Sequence, residues 1–166
     1  MTTRVRSDSP HRLIVEGRND LYPIVELMTK HGWNWEKPDS HAPYVQNAGG
    51  LPGLLESVPV SIRTCQRLGV VVDMDQEPLS RWAAVSNRLR EEGVEVPDSP
   101  DAEGLVAHMG TKWIGVWLMP DNRTTGAIED FLSRLIPAND TLWPWALTAT
   151  EGARSRGAFF RGGSVA

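Results

Sequence analysis

The chain has 166 residues, of which 40% are hydrophobic and 23% charged, so one compact domain is expected and disorder throughout is excluded. Its formal net charge of -4 argues against a dedicated high-affinity nucleic-acid binder, because phosphate contacts come from clustered Lys and Arg. No apolar run approaches the roughly 20 residues that cross a bilayer, and the polar N-terminus does not resemble a secretory signal. A single cysteine, Cys65, excludes an internal disulfide and a cysteine-rich zinc site. We therefore expect a cytoplasmic protein without a membrane partner.

The N-terminal part of the chain begins with a short apolar run, RLIVE at residues 12–16, which predicts a strand. A turn is expected at Gly17, and apolar residues then recur at helical spacing up to Gly32, which predicts a helix. Asn19 and Asp20 are suitable caps for the start of that helix.

The middle of the chain repeats this alternation. Residues 44–48 predict a second strand before a pair of glycines, and a helical stripe follows over residues 51–62, with an interruption expected at Pro59. The β-branched run LGVVVD at residues 68–73 is typical of a strand covered on both faces. A third helical stripe follows that strand.

The C-terminal part differs, because two strand-like runs come in succession. Residues 104–109 and 112–119, joined by a turn that contains Gly110, predict a β-hairpin. Apolar residues at i, i+3, i+4, i+7 and i+8 from Ile128 then predict an amphipathic helix that Pro137 ends.

Repeated strand and helix units predict a three-layer α/β fold, with a mostly parallel central sheet, helices on both faces and a C-terminal hairpin plus helix. We expect this domain to span residues 11–137, after a flexible N-terminus at residues 1–10 and before a C-terminal extension at residues 138–166. In such sheets, ligands bind beyond the carboxyl ends of the strands.

Acidic residues stand where two of the predicted strands end. Glu16 ends the first and Asp73 the third, so their carboxylates meet at one edge of the sheet if these strands are neighbours. Asp75 follows by two residues, which in an extended backbone points both aspartates to the same side. Like charges about 4 Å apart repel by roughly 4 kcal/mol at an effective dielectric near 20. The cluster therefore needs a proton, a basic partner or a metal, and hard oxygen ligands suit Mg²⁺ or Mn²⁺.

Two short motifs carry a family resemblance. LIVEGRND at residues 13–20 and VVVDMD at residues 70–75 resemble the signature motifs of the Toprim superfamily of topoisomerases and primases, which also includes the OLD-family nucleases. The chain looks most like the small stand-alone Toprim-like proteins of unknown function. This resemblance implies a Toprim-like Rossmannoid domain, and a C-terminal extension that ends earlier than in similar proteins.

The resemblance also implies roles for particular residues. Glu16 matches the motif glutamate, which acts as acid/base or metal ligand, and Asp73 and Asp75 match its metal-binding aspartates. Asp20 looks like the acidic residue that OLD-type members add after the glutamate, and it is the second catalytic candidate.

Other interpretations stay open for several residues. Asp20 is also a typical helix N-cap, Glu129 is either a further acid of the site or part of a solvated helix face, and Asp121 is either a further acid or a turn residue. The Gly49-Gly50 pair is either a tight turn or a place where backbone N–H groups meet a phosphate.

Alternative families and sites fit less well. A DxD pair alone also occurs in glycosyltransferases, and HAD phosphatases use DxDx[TV], whereas here Glu77 takes the place of the Thr or Val. The four histidines show no metal-binding spacing.

Two functions follow as hypotheses. The first is a Mg²⁺- or Mn²⁺-dependent phosphoryl-transfer domain, such as a nuclease, with nucleic acid or a nucleotide as substrate. The alternative is a catalytically inactive Toprim-like module that binds a metal, a nucleotide or a protein partner such as an ATPase.

Overall fold

The computed structural model describes residues 9–35 and 41–159. Most of the predicted flexible N-terminus, and residues 160–166 of the predicted extension, lie outside these ranges. The strands are β1 (His11–Val15), β2 (Tyr44–Asn47), β3 (Arg67–Asp73), β4 (Leu105–Met109) and β5 (Lys112–Met119). The helices are α1 (Arg18–Lys30), α2 (Leu51–Thr64), α3 (Pro78–Glu91), α4 (Ile128–Arg134) and α5 (Leu142–Arg154).

The strands form one mostly parallel sheet in the order β2-β1-β3-β5-β4. β1 lies between β2 and β3 and is parallel to both, β3 is parallel to β5, and only the edge strand β4 runs antiparallel. β4 and β5 are the two arms of the predicted hairpin, and Gly110 in their turn has the positive φ of 61° that glycine accepts without strain. The first and third strands are neighbours, which is the condition under which the acids at their ends were expected to meet.

Helices cover both faces of the sheet. One core joins α2 and α3 to the face of the sheet that carries Ile14 and Val70, and the other joins α1 and α4 to the face that carries Val15. Strand side chains alternate between the two cores because successive residues of a strand point to opposite faces. The predicted three-layer, Rossmann-like α/β fold is confirmed.

The expected interruption of the second helix at Pro59 is wrong, because α2 is continuous from Leu51 to Thr64. Proline has no N–H to donate, which would leave the carbonyl of Leu55, four residues earlier, without its helical partner. The guanidinium of Arg88 on α3 donates to that carbonyl instead, at 3.0 Å from Nε. A contact between two helices thus replaces the missing bond within one.

Helix boundaries differ from the sequence prediction at both ends of the domain. α1 is capped by Gly17 in an extended conformation, so Asn19 and Asp20 lie inside its first turn and are not its N-caps. α4 ends at Arg134, short of Pro137. Within the described ranges, no helix has the length and apolar character needed to cross a bilayer.

α5 was not predicted, and it lies in the C-terminal extension. None of its residues is buried, and Leu142 and Trp145 are 73% and 70% exposed. Helices are recognised from sequence by apolar residues that recur at helical spacing, and this pattern arises when one face packs against a core. A helix without such a face shows little of the pattern.

Replacing Gly53 of α2 by alanine should destabilise the protein, because the added methyl group would overlap the carbonyl oxygen of Ala48 at the end of β2. We expect the free energy of unfolding to fall by at least about 2 kcal/mol in urea titrations. Gly152→Ala in α5 is the matched control, since its methyl group would meet only the end of the flexible Arg156 side chain. Equal stability of the two variants would contradict this packing.

Candidate functional site

A cleft of about 710 Å³ lies at the carboxyl ends of the parallel strands, where ligands bind in sheets of this kind. The starts of α1 and α4 and the glycine turn before α2 form its walls. Six carboxylates line it: Glu16, Asp20, Asp73, Asp75, Glu129 and Asp130. Six acidic side chains in one concave site give the cleft a high density of negative charge.

Glu16 follows β1 directly and reaches across to β3. Its Oε1 accepts the backbone N–H of Asp73 at 3.0 Å, and its carboxylate also accepts hydrogen bonds from Arg81. Only 13% of the Glu16 side chain is exposed. Burial raises the pKa of Glu16 above its ordinary value, although Arg81 and the Asp73 N–H favour the charged form. The predicted meeting of Glu16 and Asp73 is therefore present.

Asp73 is the last residue of β3 and the most perturbed acid of the cleft. Its Oδ1 accepts the N–H of Ile128, the first residue of α4, at 3.1 Å, and no bond to Oδ2 is found among the described residues. Burial, followed by the charges of neighbouring acids, raises the pKa of Asp73 to about 7. The neighbouring acids are Asp20, Glu16, Asp75 and Glu129. Near neutral pH, Asp73 therefore exists partly in its protonated form.

The backbone conformation that places Asp75 at the cleft differs from the one that the sequence predicts. The expectation of an extended backbone from Asp73 to Asp75 is wrong, because β3 ends at Asp73 and Asp75 has a positive φ of 49°. Its N–H donates to the carbonyl of Gly126 at 2.9 Å, and its own carbonyl accepts the Gly126 N–H at 3.0 Å. This two-bond bridge holds Asp75 at the cleft, where its carboxylate pairs with Arg81.

Asp20 is buried, with 5% of the residue exposed, in the first turn of α1. One oxygen accepts the backbone N–H of Gly17 at 2.6 Å, so the carboxylate closes the start of the helix from within it. Burial raises the pKa of Asp20, and the charges of Glu129 and Asp75 add to the shift. The side chain therefore stabilises the helix end and also belongs to the acid cluster.

Arg81 is the residue of the site that sequence reasoning missed. It lies in the first turn of α3, 21% exposed, and its two terminal nitrogens donate to Glu16 and to Asp75. The repulsion between the acids called for a proton, a basic partner or a metal, and in this structure Arg81 is the basic partner. A basic residue six positions after the DxD pair, at the start of the next helix, was the available signal.

The remaining candidates separate into two groups. Glu129 is exposed and lines the cleft, together with Asp130, whose Oδ2 accepts the N–H of Ala127 at 2.8 Å. Asp121 is not among the residues that line the cleft. It is a turn residue, since its Oδ1 accepts the N–H groups of Arg123 and Thr124 at 3.1 and 2.8 Å.

The Gly49-Gly50 pair forms a tight turn at the edge of the cleft. The Gly49 N–H donates to Asn47 Oδ1 at 2.9 Å, and the Gly50 N–H donates to the carbonyl of Glu16 at 2.8 Å. Both donors are therefore engaged within the protein and do not point at a phosphate.

The acids are close together but are not arranged around a common point. In the described part of the chain, no group of three or more His, Cys, Asp or Glu side chains has the geometry to hold a metal ion. Arg81 accounts for this arrangement, because it draws Glu16 and Asp75 toward its guanidinium. Asp73 alone among the three predicted ligands makes no contact with Arg81.

Comparison with known proteins gives one match. A family model described as "Protein of unknown function (DUF3226)" matches residues 10–162, a range that includes every strand and helix from β1 to α5. No curated protein and no solved structure matches the chain. The Toprim resemblance remains a prediction.

Asp73→Asn should stabilise the metal-free protein at pH 8. Because the pKa of Asp73 is raised to about 7, the folded protein keeps a proton that the unfolded chain loses near pH 4, so stability from this group falls as the pH rises through that interval. Asparagine carries no charge and still accepts the Ile128 N–H. We expect the free energy of unfolding to rise by about 2 kcal/mol at pH 8 and by less at pH 4.5, in urea titrations with a chelator.

Asp121→Asn is the matched control, with the opposite expected sign. Burial raises the pKa of Asp121, but hydrogen bonds from Arg134, Thr124 and Arg123 outweigh it and hold the pKa well below its ordinary value. The Asp121 carboxylate therefore contributes stability above the unfolded pKa that is lost in acid, and Asp121→Asn should destabilise the protein at pH 8. The same sign for both substitutions at pH 8 would contradict this assignment.

Proposed function

We propose that this chain, which belongs to the family described as "Protein of unknown function (DUF3226)", is a Mg²⁺- or Mn²⁺-dependent Toprim-like domain that catalyses phosphoryl transfer, as a nuclease acting on nucleic acid. The observation that carries the proposal is the convergence of six carboxylates in one cleft at the carboxyl ends of parallel strands. A reducing compartment such as the cytoplasm suits its single cysteine, Cys65, which is a buried free thiol.

The charge of the cleft supports a cation as its ligand. Two arginines stand against the six acids: Arg18 lines the cleft, and Arg81 contacts Glu16 and Asp75 from its edge. Repulsion of roughly 4 kcal/mol for each close pair of like charges, at an effective dielectric near 20, favours the uptake of positive charge. An anionic phosphate entering the cleft alone would increase that repulsion.

The donor set fits Mg²⁺ or Mn²⁺. These ions prefer oxygen ligands, and Mg²⁺ is usually held by one or two carboxylates together with waters and substrate phosphates. Asp73 has an oxygen without a protein partner among the described residues, and Asp75 is 48% exposed, so both can turn toward an ion. Asp73, Asp75 and Glu16 would hold the metal, which supplies charge stabilisation for the reacting phosphate when bound.

The chain's own residues would move the proton. General acid/base catalysis works best when the pKa of the group is near the working pH, and burial raises the pKa values of both Glu16 and Asp20. Glu16 is our candidate base for the attacking water, because burial raises its pKa and no side chain other than Arg81, among the described residues, holds its oxygens. Asp20, tied to the Gly17 N–H, is the second candidate.

A catalytically inactive module is the alternative, in which the cleft binds a metal, a nucleotide or a partner protein such as an ATPase. One observation favours it: Arg81 already neutralises two of the three proposed ligands. Magnesium titration combined with a cleavage assay separates the two functions, because a module binds the ion without turnover.

Cleavage of DNA or RNA should require Mg²⁺ or Mn²⁺ and should fall by at least about a hundredfold in Glu16→Gln and Asp73→Asn, since each loses a charged oxygen at the reacting centre. Single-turnover assays on labelled single- and double-stranded substrates measure this effect. Glu26→Gln is the matched control, because Glu26 is an exposed acid of α1 that pairs with Lys30 and does not line the cleft. Metal-dependent cleavage that survives both cleft substitutions would refute these roles.

Metal affinity should fall as the pH is lowered below 7. The metal needs the charged carboxylate, and the raised pKa of Asp73, about 7, means that a proton competes for this ligand at mildly acidic pH. We expect the dissociation constant for Mn²⁺ to rise by up to about tenfold per pH unit below 7 and to change little above pH 8. Mn²⁺ titrations at pH 6, 7 and 8 followed by electron paramagnetic resonance measure it. A constant affinity over this range would remove Asp73 from the ligand set.

A further inference from the structure

We infer that Arg81 is the counter-ion of the metal-free site and competes with the metal, so that an ion binds only when the guanidinium is displaced from Glu16 and Asp75. This inference rests on the metal site proposed above and adds a regulatory element to it. In this inference the Arg81 guanidinium and the metal ion occupy the same place in turn. Measurement shows whether removal of Arg81 raises or lowers the affinity for the metal.

The geometry of Arg81 supports competition. Its Nη1 lies 3.3 Å from Oε1 and 3.2 Å from Oε2 of Glu16, so one nitrogen addresses both oxygens of that carboxylate. Its Nη2 forms an ion pair with Asp75. The planar fork of an arginine thus joins two acids that are 59 positions apart in the chain, as a shared divalent ion would.

The two cations exclude each other. Oε1 of Glu16 already accepts the Asp73 N–H as well as Arg81, which leaves few free lone pairs for an ion while Arg81 stays in place. A divalent ion bound by Glu16 and Asp75 would also repel the guanidinium at close range. Metal binding therefore requires that the ion pairs of Arg81 with Glu16 and Asp75 are broken. The stability of these ion pairs lowers the affinity for the metal.

A purely structural role predicts the opposite sign. If Arg81 only held Glu16 and Asp75 in position for the ion, its removal would loosen the ligands and weaken binding. If Arg81 competes, its removal frees two ligands and strengthens binding. Metal affinity thus separates the two roles without any assay of catalysis.

The test is Mn²⁺ binding to wild-type protein and Arg81→Met, followed by the loss of the free-ion signal in electron paramagnetic resonance. Methionine keeps an unbranched side chain and removes the charge. Lys30→Met is the matched control, because Lys30 is an exposed cation at the end of α1 that pairs with Glu26, outside the cleft. It removes the same net charge and so accounts for the general attraction of cations to a more acidic protein.

We expect Arg81→Met to bind Mn²⁺ about tenfold more tightly than wild type, and Lys30→Met to bind with nearly wild-type affinity. Tighter binding in Arg81→Met, or binding by that variant alone, supports competition. Equal or weaker binding relative to Lys30→Met overturns the role of Arg81 and leaves the metal site standing. No binding by wild type or by Arg81→Met at millimolar Mn²⁺ overturns the metal site together with this inference.

Thermal unfolding supplies a second measurement for folded samples. Arg81→Met should melt below wild type in chelator, because the acids lose their counter-ion, and the difference should shrink or reverse at saturating Mg²⁺. Arg81→Lys, which keeps the charge but lacks the fork, should bind Mn²⁺ with intermediate affinity. A melting difference that is the same with and without Mg²⁺ would overturn the competition.

Discussion

Parallel pairing of β1 with β3 is the constraint on which the rest of the site depends. It brings Glu16 and Asp73 to the same edge of the sheet, where Glu16 accepts the N–H of Asp73, and it does so whatever the charges of the side chains. The hydrophobic cores on both faces fix this pairing, so the strand ends that carry the carboxylates cannot separate to relieve their repulsion. The folding free energy therefore offsets the repulsion among the acids. Any positive group that enters the cleft relieves this repulsion.

The negative charge of the acids in the cleft is compensated in three ways. Arg81 supplies a positive charge to Glu16 and Asp75, backbone N–H groups stabilise Asp20 and Asp130, and the raised pKa of Asp73 allows that group to hold a proton near neutral pH. These are the three physical means by which a buried acid is made tolerable: a counter-charge, a hydrogen bond and neutralisation. Asp73 has no counter-charge within hydrogen-bond distance among the described residues, which supports its role as a ligand in the metal site that we propose.

Sequence reasoning recovered the features that depend on periodicity. The order of strands and helices from β1 to α4 and the hairpin follow from hydrophobic spacing and from the rules for parallel sheets. The meeting of Glu16 and Asp73 follows only once β1 and β3 are known to be neighbours. Sequence reasoning failed where a distant contact decides the local structure. The Arg88 bond to the carbonyl beside Pro59, the bridge between Asp75 and Gly126, and the ion pair of Arg81 with Glu16 each join residues far apart in sequence, and no local pattern indicates such partners.

The bridge between Asp75 and Gly126 couples the cleft mechanically to the start of α4. Gly126 lies two residues before Ile128, the first residue of α4, and the N–H of Ile128 is bound to Asp73. Both aspartates of the DxD pair are thus fastened to the start of the same helix, one through its backbone and one through its side chain. A shift of the Asp75 backbone or of the Asp73 carboxylate therefore also displaces the first turn of α4, so this helix and the two aspartates move as one unit.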